Sequence, residues 1–182
     1  MSEKTNNVRP SKAYGAVGPI VSSAHLASGA MPALSEIEFA MTLAGNAFQR
    51  WMVRCMAAAG EDDLGPLDVL VLHVVAHRSR AKKLADLCLM LNIEDTHTVT
   101  YALKKLEKRG LISSARTGKE KLVEITDTGA ALCERYREVR EVCLVGGIVN
   151  TGVDPKRLSE IAALMRTLAG HYDQAARAAA SL

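Results

Sequence analysis

Aromatic residues are scarce in this 182-residue chain: Phe, Trp and Tyr together make up 4%. Gripping single strands by stacking bases on an aromatic platform needs more of them, so that binding mode is excluded. No apolar run reaches the length that crosses a bilayer. The N-terminus is polar, with small apolar patches broken by Gly and Pro, so neither a secretory leader nor a membrane partner is expected. Four cysteines (Cys55, Cys88, Cys133, Cys143) form no C-x-x-C pair and no zinc-ligand spacing. Reduced thiols in the cytoplasm are therefore expected, with no cofactor. Enzyme motifs are missing as well: no G-x-S-x-G, no Gly-rich phosphate loop, no H-E-x-x-H and no zinc-deaminase pattern occurs. His73 and His77 share one helical face at i, i+4, but no third ligand follows in register, so a scaffold role is expected for them.

What is present is a chain 48% hydrophobic and 24% charged, the make-up of a globular protein with a core. Its net charge of +3 is unevenly spread. Between Arg78 and Lys121 eleven Lys/Arg face five acidic residues, so that stretch carries +6 and the rest −3. A basic middle between acidic flanks points to a local polyanion site.

Residues 1–33, rich in Ser, Gly, Ala, Asn and Pro, read as an extended arm that either wraps a partner subunit or touches DNA. Residues 34–65 hold the first helix. Ser35-Glu36-Ile37-Glu38 has the form of a capping box, and Leu34 and Phe39 that of a hydrophobic staple. A stripe of Ile37, Met41, Ala44, Phe48, Met52, Cys55 and Ala59 follows, ending at Gly60. Pro66 opens a second helix that buries Leu67, Leu70, Val71, Val74 and Val75 and ends near His77. A short third helix spans about Lys82 to Leu91, with Leu84, Leu87, Cys88 and Leu91 inward. A fourth runs from Asp95 or Thr96 to Arg109, with Val99, Ala102, Leu103 and Leu106 inward.

Beyond Gly110 the period changes from helical to alternating. Leu111–Arg116 and Lys121–Thr126 read as two strands around a glycine-bearing tip, Thr117-Gly118-Lys119-Glu120. Thr126 or Asp127 caps a fifth helix with Leu132, Tyr136, Val139 and Cys143 on one face, weakened at Gly146-Gly147. Asp154-Pro155 opens the last helix, striped by Leu158, Ile161, Met165, Leu168, Tyr172, Ala175 and Ala179. The fold class expected is mostly α with a small β-hairpin wing. Residues 66–126 form a winged helix-turn-helix, and residues 34–65 and 127–182 supply helices for dimerisation.

In that arrangement the third helix buttresses the fourth, which fits the major groove of duplex DNA. With its apolar set facing inward, Thr96, His97, Thr98, Thr100, Tyr101, Lys104 and Lys105 occupy its other faces, suited to base edges at one end and phosphates at the other. Arg116, Lys119 and Lys121 decorate the wing, where one of them can enter a minor groove.

Leu106-Glu107-Lys108-Arg109-Gly110-Leu111-Ile112, then a basic hairpin, then Ile125-Thr126-Asp127-Thr128-Gly129, resembles the MarR family of bacterial regulators. That family shows L-E-x-x-G-L-(I/V) at the end of its recognition helix and (L/I/V)-T-x-x-G at the start of the next. The resemblance implies a homodimer built from the first and last helices, each subunit presenting one recognition helix and one wing to a pseudo-palindromic operator. It also allows a small-molecule effector. Arg50, Trp51 and Arg54 are the candidate lining for an anionic aromatic one, the alternative being packing and salt bridges across the dimer. The chain departs from the family in its wing: the usual Asp-x-Arg element is replaced by Thr117-Gly118-Lys119-Glu120-Lys121, leaving Arg116 or Lys119 as substitutes. The competing function is a winged helix module that binds protein, which calls for an apolar or acidic fourth helix.

Overall fold

The computed structural model describes residues 18–117 and 120–182; most of the expected N-terminal arm, residues 1–17, lies outside the described residues. The chain divides into two compact units, Met1–Arg54 and Cys55–Leu182.

In the first unit an irregular stretch with one 3-10 turn, Leu26–Ser28, leads to helix α1 (Pro32–Ala58). The helix starts three residues before the capping box expected at Ser35. Proline, with its fixed φ and no N–H to leave unpaired, suits the first helical position. Ser35 is buried and donates its hydroxyl to the Leu26 carbonyl at 2.7 Å, while Glu36 Oε1 accepts from the Ile20 amide at 2.9 Å. Both side chains tie the preceding segment to the first turn instead of capping it. Of the α1 stripe, Ala44 and Phe48 are exposed, whereas Met52, Cys55 and Ala59 are buried.

The second unit is built around α2 (Pro66–Ala76), which packs against α3 (Leu84–Leu91), α4 (Thr96–Lys108), α5 (Asp127–Arg140) and strand β3 (Glu120–Ile125). So many neighbours bury a wider face than the sequence pattern marked. Val69 and Leu72 join Val71 and Val75 in the core, and Leu67, Leu70 and Val74 lie at its margin. Strand β3 pairs with β2 (Ile112–Thr117) in antiparallel register, Ile112 opposite Ile125 and Thr117 opposite Glu120. A third strand, β1 (Lys82–Lys83), pairs with the other edge of β3 through Val123 and Leu122. The expected hairpin is therefore a three-stranded sheet of order β1-β3-β2. Lys82 and Lys83, expected in the third helix, belong to that sheet because β3 offers them an open edge. The wing tip, Gly118 and Lys119, lies outside the described residues.

The fifth helix departs from its expected end. After α5 a π-helical turn, Glu141–Val145, leads directly into α6 (Gly146–Asn150), so the helical run continues through Gly146-Gly147. A π turn inserts about one extra residue, which rotates the next helical segment by roughly 100°. Leu132 and Tyr136 of α5 face the core, and Cys143, inside the π turn, is exposed. Helix α7 (Pro155–Ala179), capped by Asp154, buries none of its residues; Leu158, Ile161, Leu164 and Met165 each stand 41–50% exposed. Among the described residues no helix is long and apolar enough to cross a membrane.

His73 on α2 packs its ring edge-on against Tyr136 of α5, with centroids 4.6 Å apart, and its Nε2 has no hydrogen-bond partner among the described residues. Burial pushes its pKa below the ordinary 6.5. A base whose folded pKa is depressed is protonated more readily when unfolded, so stability is complete above pH 6.5 and falls as pH drops below it. Thermal melts between pH 7.5 and 5 should show this loss, at most about 1.4 kcal/mol per pH unit, and His73→Phe should flatten it. An unchanged slope in the variant assigns the pH dependence to other groups.

Candidate nucleic-acid interface

Helix α4 has a sharply divided surface. Val99, Ala102, Leu103 and Leu106 are buried, as the spacing predicts, which leaves its opposite face to solvent. Asp95 caps the helix by accepting from the His97 amide at 2.9 Å. The helix ends at Gly110, which adopts φ +69, a left-handed conformation that costs a residue without Cβ nothing. There the Leu111 amide reaches the Leu106 carbonyl and the Gly110 amide the Glu107 carbonyl, the paired bonds of a Schellman turn. Asn92, also left-handed, ends α3 in the same way. The Asn92 stop separates α3 from α4, and the Gly110 stop launches β2 directly from the end of α4.

Along the open face Thr96, His97, Thr98, Tyr101 and Lys104 are exposed, Tyr101 to 73%. The threonines have local partners: Thr98 donates its hydroxyl to the Asp95 carbonyl and Thr100 to the Thr96 carbonyl, both at 2.8 Å. Their clustering in the first turns is thus partly explained by back-bonding, and each oxygen keeps acceptor capacity. Thr100 is half-buried beside a cavity of ≈ 200 Å³ lined also by Leu84, Leu103, Lys104, Lys121 and Val123, where α3, α4 and β3 meet.

Several cations counted in the basic segment prove to be engaged within the protein. Lys82 is buried, its ammonium donating to the carbonyls of Val75 (2.9 Å), His77 (2.6 Å) and Arg80 (3.1 Å). Lys105 lies 3.1 Å from Asp68 Oδ2. Arg109 bridges Glu61 and Asp63. Lys121 Nζ lies 3.0 Å from Glu107 Oε2, and the Ser114 hydroxyl donates to the same carboxylate. Glu107 therefore links α4 to both long strands of the wing, and these donors hold its carboxyl below the usual range. Lys104 and Lys108 have no ion pair among the described residues and are exposed, as is Arg116 on β2. Lys119, the other wing candidate, lies outside the described residues.

The acidic partners of Lys105 and Arg109 were not singled out from sequence. Asp68, three residues after Gly65, is legible as a helix-start acid: its carboxylate accepts from the Gly65 amide at 2.8 Å. Glu61 and Asp63 carry no such signal. Of the candidate effector residues on α1, Arg50 and Arg54 are exposed and Trp51 is half-buried. No group of three or more His, Cys, Asp or Glu able to hold a metal occurs among the described residues.

Comparison with known proteins agrees with this geometry. Residues 64–129 match the family model described as a winged helix DNA-binding domain. Among solved structures of similar fold is AbfR of Staphylococcus epidermidis, 18% identical, with TM-score 0.63 and covering 79% of this chain and 94% of that one. Reduced AbfR has also been solved bound to DNA (19% identity, 77% and 94% coverage, TM-score 0.60). A MarR family regulator from Neisseria meningitidis is 21% identical over 78% of this chain and 94% of its own, with TM-score 0.61. CouR from Rhodococcus jostii, solved with p-coumaroyl-CoA, is 16% identical over 73% and 91%, also with TM-score 0.61. No curated protein matches the sequence. At such identities the likeness is one of fold. Residues 64–129 are a winged helix, and the fold is similar to that of these solved regulators.

Proposed function

We propose that this chain is a transcription regulator that binds duplex DNA as a homodimer, with α4 in the major groove and β2–β3 as a wing on the flanking backbone. The observation that carries this reading is the face of α4: hydroxyl, imidazole and phenol groups toward its N-terminus, ammonium groups with no ion pair among the described residues toward its C-terminus, on a helix whose other side is packed. Tyr101 and the acceptor oxygen of Thr98 reach base edges; Lys104, Lys108 and Arg116 neutralise phosphates. The DNA-bound form of AbfR supports this use of the fold. The exposed apolar face of α7 supports a second copy as its cover, and two-fold symmetry then matches half-sites one helical turn apart. A small-molecule effector near Arg50, Trp51 and Arg54 is the reading that CouR with its bound thioester supports. The protein acts in the cytoplasm and catalyses no reaction.

Duplexes selected from genomic fragments, titrated at several salt concentrations, test the proposal. Affinity should fall steeply with salt. Lys104→Gln should weaken binding to every sequence and flatten the log–log slope by about 0.9, the loss of one phosphate contact. Thr98→Val and Tyr101→Phe should instead change preference among sequences. Failure to bind any duplex better than random DNA removes the regulator reading.

A further inference from the structure

The C-terminal half of α4 brings four cations, Lys104, Lys105, Lys108 and Arg109, to one cavity of ≈ 530 Å³ that they line with Tyr101 and Asp63. They form two classes. Lys104 and Lys108 meet no carboxylate among the described residues, whereas Lys105 pairs with Asp68 and Arg109 spans Glu61 and Asp63. Arg109 holds two carboxylates with its guanidinium fork, which suits phosphate oxygens equally well. Asp63 also stands 3.9 Å from Lys105, so a single carboxylate serves both engaged cations.

Resting on the reading of α4 as a DNA helix, we infer that Asp63 is a specificity-determining residue. It acts as an internal substitute for phosphate, withholding Arg109 from the backbone of DNA that the sequence does not select. Non-specific affinity comes from counterion release and grows with each phosphate neutralised. Useful recognition depends on the ratio of specific to non-specific binding, which four free cations on one helix end would erode. A phosphate drawn to Lys104 and Lys108 enters the cavity that Lys105 and Arg109 also line, so only their carboxylate partners keep these two from adding contacts. Asp63 is the exchangeable partner, because its side chain is 63% exposed while those of Glu61 and Asp68 are 16% and 11% exposed. Its ion pairs are open to water and salt.

The test compares the full chain with Asp63→Asn, Asp62→Asn and the double variant Asp63→Asn/Arg109→Gln, on a selected duplex and a random one across a salt series. Asp62 is exposed in the same turn and has no ion pair among the described residues, so its variant makes the same change in net charge. Asp63→Asn should tighten random-duplex binding roughly eightfold at 0.1 M salt and steepen the slope by about 0.9, one added phosphate contact. The gain should be smaller on the selected duplex, should be absent from Asp62→Asn and should vanish in the double variant. Equal effects from Asp62→Asn and Asp63→Asn, or a gain that survives loss of Arg109, overturn the inference and leave only long-range charge. A wild-type chain that binds no duplex overturns the DNA reading itself. Wild-type binding that Asp63→Asn leaves unchanged overturns this inference alone. Circular dichroism of each variant excludes misfolding as the cause.

Discussion

Gly129→Ala is expected to lower stability by about 3 kcal/mol, a fall of roughly 10 °C in melting temperature. A Cβ at this position would stand 2.0 Å from the Leu111 carbonyl oxygen and 2.7 Å from Ile125 Cδ1. The Ile125 side chain can turn aside, but the carbonyl cannot. Leu111 O accepts from the Thr126 amide at 3.2 Å, and the Thr126 hydroxyl donates to Gly110 O at 2.7 Å while accepting from the Gly129 amide at 3.1 Å. One residue thus caps α5, anchors the turn after α4 and closes the base of the wing, and the glycine lets the α5 backbone come close enough for all three. Urea denaturation checks the expectation. A loss below about 0.5 kcal/mol would mean that the start of α5 can slide without breaking these bonds.

Lys82→Met should cost about 3 kcal/mol while leaving the salt dependence of DNA binding unchanged. The Lys82 stem is buried and its ammonium gathers three carbonyls at the end of α2, where helix carbonyls lack amide partners. The turn it braces is strained: Arg78 and Ser79 both have positive φ, 61 and 42, without being glycine. Burial lowers the lysine pKa, the adjacent charge of Arg80 adding to the effect. Methionine keeps the apolar stem but leaves the carbonyls without their donor. Chemical denaturation alongside a salt titration separates the two roles. Unchanged stability would show that water replaces the ammonium, and a flatter slope would show that this lysine contacts phosphate after all.

The outline of the fold was legible because its signals are local. The apolar set Val99, Ala102, Leu103 and Leu106, the stop at Gly110 and the two long strands emerged from periodicity and turn chemistry, since each is fixed within a few residues along the chain. Strand β1 was hidden: two residues show no alternation, and their pairing depends on an edge of β3 some forty positions away. The π turn at Glu141–Val145 was hidden as well, because such a turn leaves no pattern in apolar spacing. The count of cations in the basic segment overstated how many of them are without a partner in the fold. Lys82, Lys105, Arg109 and Lys121 are matched to carbonyls or carboxylates; the carboxylate partner of Lys121, Glu107, lies within the segment that was counted, whereas those of Lys105 and Arg109 lie before it.

The Thr126–Gly129 motif shows the boundary most clearly. From sequence alone it marked the start of a helix and a likeness to a family, because a hydroxyl three residues before an unpaired amide caps a helix wherever it occurs. Why the fourth residue is glycine was decided by the tertiary structure, where the Leu111 carbonyl presses against its Cα. The same division holds for the open face of α4. Sequence determined which side chains α4 turns outward, since 3.6 residues per turn is a property of the backbone. Which of its cations are engaged was decided by the acidic turn at 61–63 and by Asp68, through contacts that close only when distant segments pack.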